Sequence, residues 1–312
     1  MKKPLTQSQI KKIVTIVVLV LAIVIGFGKY ISEKIPDFEE LRDKIGVSAD
    51  IAIPDGTFEM QVVDVGNADC IVLRQGDETM LIDAGEAEDV GVIEKHFLEK
   101  SIGKLKYVLI THAHDDHIGG MRKIIEDIPV ETFLMEDLPE EKIPSTRVYE
   151  HLLETLDEKN IHVEPLEAKT KVKLELGKAT VELFTDVTDS DEQNEQSVVA
   201  YVTFGKNRFL LMGDAGKESE RYILQNNLVG KADVLKLGHH GSNSASCQDF
   251  LDAVSPRYAA VTCGLHNRYG HPSDKTLERV KRCGTEILRC DKVGTIIFTS
   301  DGKNIQVTTE EE

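Results

Sequence analysis

The 312-residue sequence contains no tryptophan, only 5% aromatic residues and only five cysteines. Cys70, Cys247, Cys263, Cys283 and Cys290 are odd in number, widely spaced and lack any Cys-x-x-Cys pair. That pattern argues against a disulfide framework and against a zinc ribbon; it leaves free thiols, with Cys283–Cys290 the one pair worth checking. Basic residues are scarce as well: 37 Lys and Arg stand against 54 Asp and Glu, a net charge of −17. Lys2, Lys3, Lys11 and Lys12 are the only charges before Lys29, so taking their +4 out of −17 leaves −21 from Lys29 onward. So acidic a body has no overall attraction for nucleic acid or an anionic membrane. Any polyanion it binds must meet a local basic groove or a bound metal. No basic–aromatic stripe of the kind that holds single strands is present.

What is present begins with an uncharged run of sixteen residues, Ile13 to Gly28. As a helix it spans roughly 24 Å, against ~30 Å of hydrocarbon, and Lys12 and Lys29 can reach the interfaces. The expectation is an uncleaved N-terminal membrane anchor over 1–31, with a cleaved signal peptide as the alternative because Gly26 and Gly28 form a small-x-small pair. Basic residues flank the run on both sides and do not decide its orientation. The expected location is the cell membrane, single-pass, with the folded part extracytoplasmic. Residues 32–57 read as a charged stalk and linker with Pro54 and Asp55-Gly56 as turn signals. Residues 58–312 read as the folded domain, long enough to bury a core without staples.

Within that domain, strands alternate with helices. "FEMQVVDVG", "DCIVLRQG" and "ETMLIDAG" are β-rich, and "VGVIEKHFLEKSIG" has helical spacing with Gly103 as a stop. "KLKYVLITHAH" is a buried strand entering a polar cluster. The second half repeats the layout: "SVVAYVTFGKNRFLLMGDAG" matches "DCIVLRQGDETMLIDAG", Asp214-Ala215-Gly216 matching Asp83-Ala84-Gly85. A helix, a buried strand "ADVLKLG" and a second histidine loop, "HHGS", follow. Two such halves face to face predict an α/β four-layer sandwich, with both histidine loops at the carboxyl ends of strands.

The chemistry concentrates in "THAHDDH". His112 and His114 point to one side of an extended backbone, while Asp116 and His117 reach a second point nearby. Imidazole and carboxylate suit zinc or manganese, and two pairs aimed at neighbouring points suggest a two-metal site. Asp214 is a candidate carboxylate bridge, or else the N-cap of the helix after it. One of His239 and His240 is expected as a ligand and the other as a residue supporting a ligand or facing the substrate, and the sequence does not choose between them. Asp83, at a strand end, is expected to orient a histidine. His271 is a candidate donor to a substrate oxyanion or else a structural loop histidine, and Ser242 and Arg268 are candidate substrate contacts. Asp115 reads as solvated or supporting. His96, His151 and His162 read as non-functional.

At these residues the chain resembles the metallo-β-lactamase superfamily: "THAHDDH" is similar to its H-x-H-x-D-H signature, with "LIDAG" before it and "LLMGDAG" after it. "DVGNADCIVL", "NEQSVVAYVTFGKNRFLLMGDAG", "LKLGHHGSNSAS", "YGHPS" and "GTIIFTSDG" resemble the hydrolase domain of ComEC-type competence proteins. The resemblance implies the four-layer αββα metallo-β-lactamase sandwich and a hydrolase site holding two divalent ions, Zn2+ or Mn2+. Many superfamily members carry a further metal histidine where this chain reads "DSDEQNEQSVV". Asn194 and Ser197 occupy that stretch. The first metal point, on His112 and His114, is then one ligand short. The second, on Asp116, His117, Asp214 and one of His239 and His240, is complete.

The resemblance implies a metal-dependent phosphodiesterase or nuclease in which a metal-bound hydroxide, its pKa lowered to about 7, attacks phosphorus. Asp116 and His271 are its expected catalytic groups, and DNA or a small phosphodiester its substrate. A β-lactamase or lactonase is the alternative enzyme, and a membrane-tethered metal-binding module without turnover the alternative from another class. Nothing in the sequence identifies a protein partner.

Overall fold

The computed structural model describes residues 52–185, 190 and 192–310. Its first sheet runs through β1 (Phe58–Val62), β2 (Ile71–Gln75), β3 (Glu78–Ile82), β4 (Leu105–Leu109), β5 (Val130–Glu136) and β6 (Val163–Leu166). The last strands of the chain, β14 (Ile296–Ser300) and β15 (Ile305–Thr309), return to its other edge, giving the order β15-β14-β1-β2-β3-β4-β5-β6. The second sheet contains β7 (Lys171–Leu176), β8 (Ala179–Phe184), β9 (Val199–Phe204), β10 (Asn207–Leu211), β11 (Val234–Lys236), β12 (Tyr258–Val261) and β13 (Glu286–Arg289), ordered β13-β12-β11-β10-β9-β8-β7.

Strand alternation builds the layers. Phe58, Met60 and Val62 of β1, with Ile71 and Leu73 of β2, share one core with Val181 and Leu183 of β8 and Phe209 and Leu211 of β10. Side chains of period two on one face of each sheet therefore meet between the sheets. The opposite parity of the second sheet, Leu210, Leu235, Ala259 and Val261, packs instead on Ile223, Phe250, Leu251 and Val280. Those four come from the helices Lys217–Gln225, Gln248–Val254 and Asp274–Arg282. The result is the αββα sandwich.

The internal repeat holds. β2 and β3 form an antiparallel hairpin and β4 lies parallel to β3. β9 and β10 form an antiparallel hairpin and β11 lies parallel to β10. The helix over Val90–Glu99 ends at Lys100, whose N–H donates to the His96 carbonyl, three residues before the glycine expected to stop it. Its Ile93, His96 and Phe97 are buried, while Val92 is 45% exposed. All five cysteines are free, so Cys283 and Cys290 do not bridge.

One part of the expectation is corrected. The anticipated membrane segment over 1–31 falls outside the described residues. Among the described residues no helix is long and apolar enough to cross a membrane. Every helix there is short: the helix over Arg147–Glu158, at 12 residues, extends about 18 Å. The single-pass membrane reading, with its membrane partner and location, is therefore not upheld, and the fold that the described residues show is the αββα sandwich.

Candidate metal centre

Four loops at the carboxyl ends of parallel strands converge on one point, and three of them are bent there by left-handed residues: Asp83, Gly213 and the pair His239–His240. After β3, Asp83 has φ 58. After β11, His239 and His240 both have φ 49, the left-handed region that costs a branched or bulky L-residue about 1 kcal/mol or more. Two successive left-handed residues turn their side chains apart. His240 is buried in the centre, while His239 lines the open cleft. Gly238 permits this turn, because a Cβ there would meet the Ala215 carbonyl at 2.4 Å. The same need for close approach explains Gly119: a Cβ would lie 2.6 Å from the Ala87 nitrogen.

Asp116, His117, Asp214 and His240 bring one ligand atom each within 4.8 Å of one another. His117 Nε2 and His240 Nε2 each lie 3.5 Å from Asp214 Oδ1, and His240 Nε2 lies 3.5 Å from Asp116 Oδ2. His117 Nε2, His240 Nε2 and Asp214 Oδ1 are buried with no hydrogen-bond partner. Three orphaned polar atoms at one buried point are expensive unless something completes them. Ligand atoms 2.0–2.2 Å from a shared cation at tetrahedral angles stand roughly 3.4 Å apart. The observed spacing fits a divalent cation.

The electrostatics agree. Burial works against charge on His117, yet Asp214 and Asp83 hold its pKa well above the ordinary imidazole value. Burial likewise opposes charge on Asp214, but His240 and His117 hold that carboxyl well below its usual range. Asp116 is pushed down in the same way, with burial outweighed by His240 and His117. These groups share protons where a cation would otherwise balance the carboxylates.

His112 Nε2 and His114 Nδ1 stand 3.0 Å apart and define a second convergence point. Burial and the neighbouring His117 depress the pKa of His112, which keeps its imidazole neutral, the form that binds metal. A further group, Asp69, Asp83 and His117, also lies close enough together to hold an ion. The members of this second cluster are already engaged. Asp83 Oδ2 lies 2.7 Å from His117 Nδ1 and accepts from the Thr111 hydroxyl at 2.7 Å. Asp69 is paired with the buried ammonium of Lys236 at 2.9 Å. We therefore assign that group to the support of the ligands rather than to an ion.

The structure decides two choices that the sequence left open. His240, not His239, joins the cluster; His239 contacts Ser244 Oγ and Asn194 Nδ2, and its Nε2 stands farther off, 3.8 Å from Asp214 Oδ2. Asp214 does not cap the helix Lys217–Gln225. Glu195 serves that terminus, its Oε2 accepting from Gly216 N at 3.2 Å and Ser219 N at 2.9 Å. Ser197 Oγ accepts from Asp214 N at 3.1 Å and lies 3.3 Å from His112 Nδ1.

An open cleft of about 510 Å³ lies over the centre, lined among others by Asn194, His239, Arg268, Tyr269 and His271. His271 packs edge-on to His239 at 5.5 Å, and its Nδ1 is buried without a partner. Burial and the nearby His239 lower its pKa, so it faces the cleft neutral. Arg268 is exposed and donates to the Tyr269 hydroxyl. Ser242 is turned into its own loop, where its Oγ accepts from Ser244 N and Oγ. Asp115 is exposed at the cleft wall. His96 is buried with Gln61 Oε1 at 2.7 Å, a partner that its helical setting did not reveal. Asp69 and Lys236 were missed in the sequence. The available signal was a lysine inside the apolar run "ADVLKLG" and an aspartate inside "NADCIVL".

Comparison with known proteins places this geometry. ComE operon protein 3 of Bacillus subtilis is 29% identical over 64% of the chain and 25% of its own length. Competence protein ComA of Neisseria gonorrhoeae is 28% identical over 79% of the chain and 33% of its own length. The chain thus spans a quarter to a third of these relatives. Among solved structures, the metallo-beta-lactamase fold protein YhfI from Bacillus subtilis matches with a TM-score of 0.50 and 14% identity. That match covers 78% of this chain and all of YhfI, and it shows a shared fold. The family model of the metallo-beta-lactamase superfamily matches residues 63–264, well over half of the chain. With that match joined to the αββα fold and the four-residue cage, the chain belongs to the metallo-beta-lactamase superfamily and is a metal-dependent hydrolase.

Proposed function

We propose that the hydrolase acts on phosphodiesters, either DNA or a smaller diester. The observation that carries this reading is the pairing of the Asp116–His117–Asp214–His240 cage with a cleft whose other wall presents His239, His271 and Arg268. A cation held in the cage supplies Lewis acidity and an activated water at neutral pH. His112 and His114 would hold a second ion beside it. Asp116 and Asp214 would orient the attacking water by accepting hydrogen bonds from it. His271, neutral and with a free Nδ1, contacts a phosphoryl oxygen or the leaving oxygen from the opposite side. Arg268 meets a neighbouring phosphate. Asn194 steadies His239, Ser197 steadies His112 and Asp83 steadies His117.

The test uses the full chain loaded with manganese or zinc and offered bis(p-nitrophenyl) phosphate, DNA and nitrocefin in parallel. The expected result is diester turnover that falls by on the order of 100-fold or more in Asp116→Asn. Loaded protein that opens nitrocefin and leaves both diesters intact would overturn the proposal.

A further inference from the structure

Lys236 has no exposed surface, although it ends a strand of otherwise apolar residues. Its ammonium lies 2.9 Å from Asp69 Oδ2 and donates to the Leu237 carbonyl at 2.9 Å. Asp69 is 2% exposed. A buried ion pair is weak evidence for stability, since well-packed apolar side chains in its place are often as stable or more so. The pair therefore calls for a reason outside packing.

The reason lies in the protons around it. Asp69 Oδ2 is occupied by Lys236, and Asp69 Oδ1 accepts the hydroxyl proton of Thr262 at 2.5 Å. Thr262 Oγ1 has spent its only hydrogen there and offers lone pairs alone to His240 Nδ1, 3.0 Å away. The Thr262 carbonyl, 3.1 Å from the same nitrogen, can also only accept. His240 Nδ1 must then carry hydrogen. In the neutral ring, the form that holds a metal, its Nε2 is then the lone pair, aimed at the point shared with Asp116 and Asp214. The main chain of Asp69 ties the same region together: its N–H donates to the Asp116 carbonyl at 3.1 Å, and its carbonyl accepts from Gly85 N at 2.9 Å.

We propose that Lys236, Asp69 and Thr262 form a positioning relay that sets the tautomer and aim of His240, and through it the grip of the cage on its divalent cation. The relay makes the two imidazole ligands unequal. His117 is backed directly by the Asp83 carboxylate at 2.7 Å. His240 is backed at Nδ1 by the Thr262 hydroxyl and carbonyl, and the Asp69 carboxylate, already neutralised by ammonium, stands farther off at 3.4 Å. His117 is the stronger electron donor and His240 the more precisely aimed one. This inference rests on the metal cage and not on the choice of diester as substrate.

The experiment reads cation binding directly. The full chain is stripped with a chelator and titrated with cobalt(II), recording affinity and the visible ligand-field spectrum. Thr262→Val keeps the shape and removes the hydroxyl, while Thr262→Ser restores it. Expected is a ~10- to 100-fold weaker cobalt affinity and an altered spectrum for Thr262→Val, with both returned to the wild-type values by Thr262→Ser. Lys236→Met is expected to alter the spectrum too; if it does not fold, the threonine pair still decides. An unchanged affinity and spectrum in Thr262→Val, with wild type binding normally, overturns the relay alone. Thr262→Ser failing as Thr262→Val does also overturns it, because the loss would then come from packing. A wild-type chain that binds no cobalt overturns the cage itself.

Discussion

At the scale of single residues, the neighbours His239 and His240 carry the clearest division of labour. They share a residue type and a left-handed backbone, yet one enters the cage and the other faces the cleft. His240→Ala should lose most bound cation, measured as metal content after gel filtration. His239→Ala should keep its cation and lose turnover instead. A His239→Ala protein emptied of metal would show that the assignment is reversed. The cage should also respond to pH. Without a cation, the carboxylates hold the pKa of His117 well above that of free imidazole, against the effect of burial. Cation binding must expel that proton, so affinity falls as pH drops, by ~10-fold per pH unit for each proton released. Calorimetric titration in buffers of different ionisation enthalpy measures the number released.

At the scale of elements, two glutamates hold the second histidine loop in place. Glu195 reaches across from its loop to serve the N-terminus of Lys217–Gln225, accepting from Gly216 N, Ser219 N and the Ser219 hydroxyl. Glu195→Ala should destabilise the protein by about 1–2 kcal/mol in urea unfolding, as loss of a helix cap does. Glu220, on that helix, accepts from the Ser246 and Cys247 backbone nitrogens just beyond the histidines. Burial raises its pKa to about 7, against the pull of the Cys247 and Ser246 donors. Its folded pKa lies above the unfolded value of about 4.5, so the folded state binds the extra proton. The stabilisation is complete below pH 4.5 and is lost as pH rises toward 7, a change of about 3 kcal/mol. The unfolding free energies of wild type and Glu220→Gln should therefore diverge across that window, with wild type losing ground as pH rises. Parallel curves would remove Glu220 from the account.

At the scale of the whole molecule, the centre is built from loops of both halves, so a cation in the cage also joins the two sheets. Binding to the folded state alone stabilises by ~4 kcal/mol at a free cation concentration 1,000 times Kd. Chelator-treated protein should accordingly melt several degrees below the loaded form, and adding zinc should restore the midpoint. Much of this architecture was legible in the order of residues. The hairpin–helix–strand repeat follows from the apolar alternation and from Asp83-Ala84-Gly85 answering Asp214-Ala215-Gly216. The spacing of His112, His114, Asp116 and His117 at a strand end gives the two convergence points directly. The membrane reading was not upheld, since no helix among the described residues is long and apolar enough to cross a bilayer. Hydropathy reports only that a run is apolar, and an apolar run has more than one destination.

Sequence by itself determined the layers and the chemistry, because side-chain periodicity and ligand type are local properties. It could not separate His239 from His240, since adjacent identical residues differ only in where the backbone turns, and that turn depends on Gly238 pressing against Ala215. Nor could it free Asp214 from a capping role, because the group that replaces it, Glu195, arrives from another loop. Asp69 and Lys236 lie far apart along the chain and meet only because β11 and the loop before β2 close on the same point. Only the tertiary structure decides such meetings, because a long-range contact is set by the packing of whole elements and leaves no period in the sequence.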